Sequence, residues 1–179
     1  MRRLLLASIA IGLLSCVSCK EKIDIDKEKK AIIEVIEGWT EAEYTADFDL
    51  QSTYIAKDDE VVQLGVGKNV IYYGHGLDQY YEFWDWGKKN KMPPNTNKRE
   101  HVDYQIRVFP ECAWAVYTEK WYNSEGEYLY DIISTRILEK INGKWKLMYI
   151  GYTSISEWSP EQINPSPEEL LEQYQDIWE

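Results

Sequence analysis

Two side chains of this sequence could carry acid–base chemistry. Asp131 shares a predicted strand face with Thr135, and a carboxylate desolvated among aromatic residues can have a raised pKa that suits proton transfer. His75 lies between Gly74 and Gly76 and could act as a mobile acid or base near neutral pH. Each has a simpler explanation, with Asp131 a rim acid beside a lysine or arginine and His75 an exposed loop residue. We treat both as candidate catalytic residues.

The other reactive residue types do not form a recognisable site. The 2 histidines fall in separate segments without a spaced carboxylate motif, so no metal site is predicted. The alternation of residues 99–108 predicts a strand with His101 on its solvated polar face and Val102 and Tyr104 on the other. There is no Ser or Cys nucleophile signature and no glycine-rich phosphate loop. The sequence therefore predicts neither a metal nor a cofactor.

The composition narrows the choice of partner. The formal net charge of −11 disfavours a nucleic-acid partner, because phosphate binding requires a basic face. The chain has 8 Trp and 14 Tyr against 3 Phe. Trp and Tyr combine an apolar ring with a polar group, which suits partly solvated positions. They could therefore line a cavity for an amphipathic small molecule or a sugar ring. The alternative is that these rings form an ordinary core.

The first residues are typical of an export signal. Two arginines precede an apolar stretch, residues 4–14, that is too short to span a bilayer as a helix. Residues 13–16 resemble the lipobox of bacterial lipoproteins, in which a peptidase cuts before a cysteine that is then acylated. We expect Cys16 to be that cysteine, with Cys19 as the second choice and an ordinary secretory signal as the alternative. The expected location is the bacterial cell envelope, with a lipid anchor as the membrane contact.

The elements that would position the candidate residues belong to one domain. Residues 1–15 are expected to be the signal peptide and 16–26 a tether, and the folded domain is expected over 27–156. Apolar residues at helical spacing predict a long amphipathic helix that includes Trp39 and a second helix over 77–90. These helices must lie on an apolar surface, which the rest of the domain has to supply.

The C-terminal half of the domain predicts a β-meander. Residues 111–156 contain three runs rich in aromatic and β-branched residues, separated by turn signals at 123–126 and at Asn142-Gly143. Together with the strand over 99–108 they give four antiparallel strands, and the preceding helices make the expected class α+β. Residues 157–179 are expected to form a linker and a C-terminal helix, whose apolar face would cover the cavity mouth, a second copy of the chain or a membrane surface.

Four stretches of the sequence resemble, in the same order, stretches of the nuclear-transport-factor-2-like superfamily, which includes ketosteroid isomerases and SnoaL-like polyketide cyclases. They are residues 43–49, residues 55–62, residues 111–115, and residues 135–147 with their closing Gly143-Lys-Trp145-Lys. The resemblance implies a cone-shaped α+β fold, in which a curved antiparallel sheet packs against N-terminal helices.

The resemblance also implies a pocket between the helices and the concave face of the sheet. The expected ligand-binding residues come from the helices and from one face of each of two strands: Trp39, Glu43, Tyr54, Tyr80, Asp131, Ile133, Thr135, Met148, Ile150 and Tyr152. In ketosteroid isomerases three groups in this pocket move the proton and stabilise the oxyanion. The matching positions here hold Trp39, Leu64 and Thr135, so that chemistry is disfavoured.

Three functions remain as expectations. The leading interpretation is an exported lipoprotein whose aromatic-lined pocket binds a small organic ligand without catalysis. The second is an acid–base enzyme of the SnoaL-like kind, such as an isomerase, a dehydratase or a hydrolase. The third is an assembly module that buries the outer face of its sheet in a homodimer.

Overall fold

A computed structural model describes residues 23–57, 59–67 and 70–154, except for the side chains at positions 67, 70, 72, 80 and 83. The predicted signal peptide, both candidate lipidation sites and the predicted C-terminal helix lie outside the described residues. Within the described part of the chain, no helix is both long enough and apolar enough to cross a bilayer.

Within residues 23–154, as far as the structure describes them, three helices precede or interrupt the strands. Helix α1 spans Ile25–Tyr44 and begins at Asp24, whose side chain accepts a hydrogen bond from the Lys27 amide. Helix α2 is the short segment Phe48–Tyr54, and Asp47 caps it in the same way. Helix α3 spans Leu77–Lys89. The two long helices confirm the elements that the apolar periodicity predicts.

Six strands form one sheet, in the spatial order β2-β1-β6-β5-β4-β3. Their bounds are β1 Val62–Gly67, β2 Val70–His75, β3 Lys98–Val108, β4 Cys112–Tyr122, β5 Tyr128–Ile141 and β6 Lys144–Ser154. Neighbours pair antiparallel, except that β1 runs parallel to β6. The sheet is therefore mixed, where an antiparallel one was expected. The parallel pair is possible because α3 and four strands lie between β1 and β6 in the chain, which is ample length for a crossover.

The hairpin between β5 and β6 has the turn that its sequence predicts. Asn142 and Gly143 have φ values of +50° and +75°, so both central residues are in the left-handed region. This backbone matches the right-handed twist of the flanking strands, and asparagine followed by glycine tolerates it best.

The core lies between α1 and one face of the sheet, which we call the inner face. Ile32, Ile36 and Trp39 of α1 pack there in one buried cluster with Leu138 and Leu147. Helices α2 and α3 attach to each other by the hydrogen bond from Trp84 Nε1 to Gln51 Oε1, at 2.8 Å. Gly87 of α3 also approaches the Phe48 ring of α2 closely. The domain is thus an α+β fold with its helices on the inner face of a curved sheet, as expected.

Two β-bulges decide which residues face the core. In β3 the register shifts between Val102 and Gln105, where Asp103 has a φ of +58°. The register shifts again where β6 passes Ile137 and Leu138 of β5. A bulge adds one residue to one strand and so moves the following side chains to the opposite face. The single alternation predicted for residues 99–108 is therefore wrong at its N-terminal end.

Candidate functional site

A cavity of about 610 Å³ opens between the C-terminal end of α1, the segment 92–96 and the inner face of the sheet. Its wall combines aromatic and apolar side chains with a few polar ones: Glu43, Phe48, Gln63, Met92, Pro93, Pro94, Asn95, Thr96, Arg99, Trp121, Tyr130, Ile132 and Tyr152. The volume and the mixed lining are typical of a site for a small organic molecule.

Four charged side chains form a continuous series of ion pairs that runs from the closed interior to the wall of this cavity. Arg136 Nη2 lies 3.3 Å from Glu119 Oε1, and Glu119 Oε2 lies 3.4 Å from Arg99 Nη1. Arg99 Nη2 in turn pairs with Glu43 Oε2 at 2.5 Å. The exposed fractions of the four side chains, from Arg136 outwards, are 0%, 0%, 4% and 36%. We call these residues the charge chain.

The inner part of the charge chain is held by further hydrogen bonds. The Ser134 hydroxyl donates to Glu119 Oε1 at 2.5 Å, and Arg136 Nη1 donates to the Gly151 carbonyl at 2.8 Å. Burial alone would raise the pKa of the Glu119 carboxyl, but Arg136 and Arg99 together hold it below its usual value. Glu119 is therefore a buried carboxylate that stays ionised, because two guanidinium groups surround it.

Aromatic rings enclose the outer guanidinium. The Arg99 guanidinium carbon lies 4.3 Å from the centre of the Tyr44 ring and 4.6 Å from that of Trp121. The Trp121 ring stacks on Tyr130, with centroids 5.7 Å apart and planes 25° apart. Such contacts fix both the ring and the cation. Strands β4 and β5 place Trp121 and Tyr130 directly opposite each other, so the wall of the cavity follows from the strand register.

A second polar cluster lies on the other side of α1, against β3. The Tyr104 hydroxyl donates to Glu37 Oε1 at 2.8 Å, and His101 Nδ1 lies 3.0 Å from the same oxygen. The His101 side chain is 2% exposed and packs on the Tyr117 ring with centroids 4.9 Å apart. The prediction that His101 is solvated is therefore wrong, because the bulge at Asp103 turns it to the inner face.

Several buried polar atoms of the interior have no hydrogen-bond partner among the described residues. They include Trp39 Nε1, Tyr117 hydroxyl and Arg136 Nε in the core, and Arg99 Nε and Trp121 Nε1 behind the cavity wall. An unpaired buried donor costs about 1–3 kcal/mol.

Two of the predicted ligand-binding residues line the cavity, and three lie in the packed core beside it. Glu43 and Tyr152 form part of the wall. Trp39 and Ile150 are buried in the core, and Met148 packs against it. The Trp39 ring centre lies 5.5 Å from the Arg136 guanidinium carbon, so it contacts the inner end of the charge chain. The ligand-binding role of these residues stays a prediction.

The other predicted residues of β5 lie on the opposite face of the sheet. Asp131, Ile133 and Thr135 alternate with Ser134 and Arg136, which are buried on the inner face. The assignment of Asp131, Ile133 and Thr135 to the pocket is therefore wrong. Both faces of β5 carry large side chains, so the sequence did not distinguish them.

Two more predicted residues are not part of the described cavity wall. Tyr54 packs against Gly38 of α1 and lines a separate groove beside the β5–β6 hairpin. Tyr80 belongs to α3 in its backbone, and its side chain lies outside what the structure describes.

The two candidate catalytic residues are far apart. His75 ends β2 at the edge of the sheet, where it is exposed and stacks against the Tyr73 ring. Asp131 lies on β5, directly opposite Lys120 of β4. Three strand spacings separate β2 from β5, which amounts to about 14 Å. His75 and Asp131 therefore do not form one site.

The positions matched to the ketosteroid isomerase groups do not converge either. Leu64 and Thr135 pair with the same residue, Gly151 of β6, on the face away from the helices. Trp39 is buried on the inner side. The sheet thus separates Trp39 from Leu64 and Thr135.

Sequence reasoning missed most of the charge chain. A signal for Glu119 exists, since it shares one face of β4 with Ala115, Tyr117 and Trp121. A charged residue in such a row is usually paired when buried. No comparable signal marks Arg99, because its position depends on the bulge at Asp103.

Among the residues described, no group of three or more His, Cys, Asp or Glu side chains is arranged to hold a metal ion. Cys112 is a free, exposed thiol on β4.

Comparison with solved structures identifies the fold. A cystatin-like-fold protein of unknown function from Nostoc punctiforme is 16% identical, with a TM-score of 0.59 over 75% of this chain and 94% of that one. A candidate dehydratase of the nuclear-transport-factor-2-like family from Streptomyces avermitilis is 15% identical, with a TM-score of 0.56 over 73% and 97%. The association domain of CaMKII from C. elegans is 13% identical, with a TM-score of 0.56 over 71% and 95%.

No protein-family model matches the sequence, and no curated protein matches it. The similarity lies in the structures, at identities that establish the fold alone. The chain has the nuclear-transport-factor-2-like fold, as the four sequence stretches predict.

Proposed function

We propose that this chain is an exported lipoprotein whose cavity binds a small organic ligand without catalysis. The observation that carries the proposal is the cavity of about 610 Å³, with Trp121, Tyr130 and Tyr152 in its wall and a salt bridge at its side. Polar tips on large rings can hold a molecule that is part apolar and part polar. A region that served only as a closely packed core would not be expected to contain an open cavity of this size.

The distribution of titratable groups favours binding over catalysis. His75 and Asp131 lie apart, and the two charges in the described cavity wall, Glu43 and Arg99, neutralise each other. The alternative of an acid–base enzyme is best supported by the contact between Glu37 and His101, since a histidine oriented by a carboxylate is a common proton acceptor. Its groove is smaller, at about 260 Å³, and the histidine side chain is almost completely covered.

Ligand-observed NMR with a fragment library would test the binding proposal. Ile132→Trp fills the cavity from β5, whereas Ile133→Trp places the same ring on the outer face one residue later. We expect a set of fragments that bind the wild type and Ile133→Trp but not Ile132→Trp. A library with no fragment that distinguishes the two variants would contradict the proposal.

The lipoprotein part of the proposal is supported by the lipobox-like residues 13–16. We expect mass spectrometry of the membrane fraction to find the chain cleaved before Cys16 and acylated there. Cys16→Ser should release the protein into the soluble fraction, and Cys19→Ser should not. The reverse result would move the anchor to Cys19.

A homodimer is a second candidate, supported by an apolar row on the outer face of the sheet. Trp114 of β4, Ile137 of β5 and Tyr149 of β6 lie side by side in register, and Trp114 and Ile137 are 38% and 43% exposed. One structural neighbour is an association domain. Analytical ultracentrifugation should show a dimer that Ile137→Lys dissociates and that Ile71→Lys, at the edge strand, leaves intact.

A further inference from the structure

The end of the charge chain that reaches the cavity is the carboxylate of Glu43. Glu43 and Arg99 are the two charged residues in the described cavity wall. The Arg99 side chain is 4% exposed, whereas that of Glu43 is 36% exposed. An entering molecule therefore meets a carboxylate before it meets a guanidinium.

The positive charge of Arg99 is already satisfied inside the protein. It lies between two carboxylates, with Glu43 at 2.5 Å and Glu119 at 3.4 Å, and between the Tyr44 and Trp121 rings. An anionic ligand could reach it only by displacing Glu43. That exchange would replace one short charge-assisted hydrogen bond by another and gain little.

The carboxylate of Glu43 still has an acceptor to offer. Its Oε2 accepts from Arg99, while no hydrogen bond of the described residues reaches Oε1. The wall also includes the rings of Trp121, Tyr130 and Tyr152, which can contact the apolar body of a ligand. The net charge of −11 would also concentrate cations near the protein.

We propose, on the basis of the binding function proposed above, that the cavity selects ligands with a protonated amine attached to an apolar or aromatic body. The ammonium group donates a hydrogen bond to Glu43 Oε1, and the body lies against Trp121 and Tyr130. Arg99 holds the Glu43 carboxylate in place through their ion pair, but does not contact the ligand.

Three probes of similar size and different charge test this proposal directly. They are 2-phenylethylamine, which is a cation at neutral pH, 2-phenylethanol, which is neutral, and 3-phenylpropionate, which is an anion. Isothermal titration calorimetry with the wild-type protein should rank the amine tightest, at least about tenfold over the alcohol, because a hydrogen bond between two charged groups exceeds one to a neutral group. The carboxylate should bind weakest.

A variant of the proposed acceptor separates charge from shape. Glu43→Gln should lower the affinity for the amine to that for the alcohol, with the alcohol affinity unchanged, which also shows that the cavity is intact. Glu41→Gln is the matched control, since Glu41 is an exposed glutamate two residues earlier on α1 and outside this cavity wall. It should leave all three affinities unchanged.

The outcomes distinguish this proposal from the one on which it rests. If the alcohol or 3-phenylpropionate binds as tightly as the amine, or if the amine does not bind in the millimolar range, the preference for a cation is wrong. The binding function would still stand if fragments bind the wild type but not Ile132→Trp. The ranking in the wild type needs no variant, so it decides the question even if Glu43→Gln is unstable.

Discussion

Glu119 Oε1 lies 3.3 Å from Arg136 Nη2, and both side chains are completely buried. Removing two charges from water is costly, and their attraction offsets that cost only when the remaining donors and acceptors are also satisfied. Here Ser134, the Gly151 carbonyl and Arg99 supply most of the missing partners. The pair therefore depends on its surroundings, and one of these partners, Arg99, also lines the cavity.

Arg136→Met should be strongly destabilising. It removes one guanidinium and leaves the buried Glu119 with Arg99 as its remaining guanidinium partner. Breaking a buried pair at one end typically costs about 3–5 kcal/mol of unfolding free energy. Urea denaturation followed by tryptophan fluorescence would measure it. The exposed pair Lys88–Asp49 supplies the control, since Lys88→Met should leave the urea midpoint almost unchanged. Equal effects of the two substitutions would contradict the importance of the buried pair.

The free energy of unfolding should fall in acid, and Glu119 should account for part of the loss. Its pKa in the folded protein is below the usual carboxyl value, because Arg136 and Arg99 outweigh the effect of burial. The resulting stabilisation is present above the unfolded-state pKa of about 4.3 and is lost as the pH falls through the folded-state pKa. Urea titrations between neutral pH and about pH 3 should show a shallower decline for Glu119→Gln than for wild type. Parallel declines would contradict this account.

Gly87→Ala should destabilise the domain, although glycine to alanine in a helix interior normally stabilises by about 0.5–1 kcal/mol. A Cβ at position 87 would lie 2.6 Å from Phe48 Cζ, so α2 and α3 would have to move apart. The expected cost is about 1–3 kcal/mol in thermal or chemical denaturation. Combining Gly87→Ala with Phe48→Leu should recover part of the loss. A stabilised single variant would show that the two helices are not in close contact.

The bulge in β3 should tolerate glycine and reject a β-branched residue. Asp103 is exposed and has a φ of +58°, a conformation that glycine adopts without strain. Asp103→Gly should change the unfolding free energy by less than about 1 kcal/mol, and Asp103→Val should cost about 1–3 kcal/mol. If valine is tolerated, the bulge has moved. The resonances of His101 would then shift in a ¹H–¹⁵N spectrum, because its ring depends on that register.

The sequence predicts the elements of this fold well and their faces less well. Helical spacing identifies α1 and α3, and the turn at Asn142-Gly143 identifies the β5–β6 hairpin. The faces depend on two bulges, and a bulge leaves little trace in a strand that carries large residues on both sides. Arg99 and His101 therefore turn inward although the alternation of residues 99–108 places them outside.

The same limit of sequence-based prediction applies to the residues expected at the candidate site. Glu43 of α1 and Tyr152 of β6 line the cavity, and their ligand-binding role stays a prediction. Asp131 and Thr135 do not, because β5 faces the helices with Ser134 and Arg136 instead. Pairing between strands that are distant in the sequence decides which face of β5 meets the helices. The pattern of apolar and polar residues within one strand does not contain that information.

The position of β6 has a consequence for the order in which the chain can fold. This last strand lies between β1 and β5. The β1–β2 hairpin has no other strand beside it in the sheet until β6, residues 144–154, is added. During synthesis the sheet therefore cannot be completed until nearly the whole chain has been made. Contacts this distant in sequence form slowly. The sheet is therefore completed only when β6 is inserted between β1 and β5.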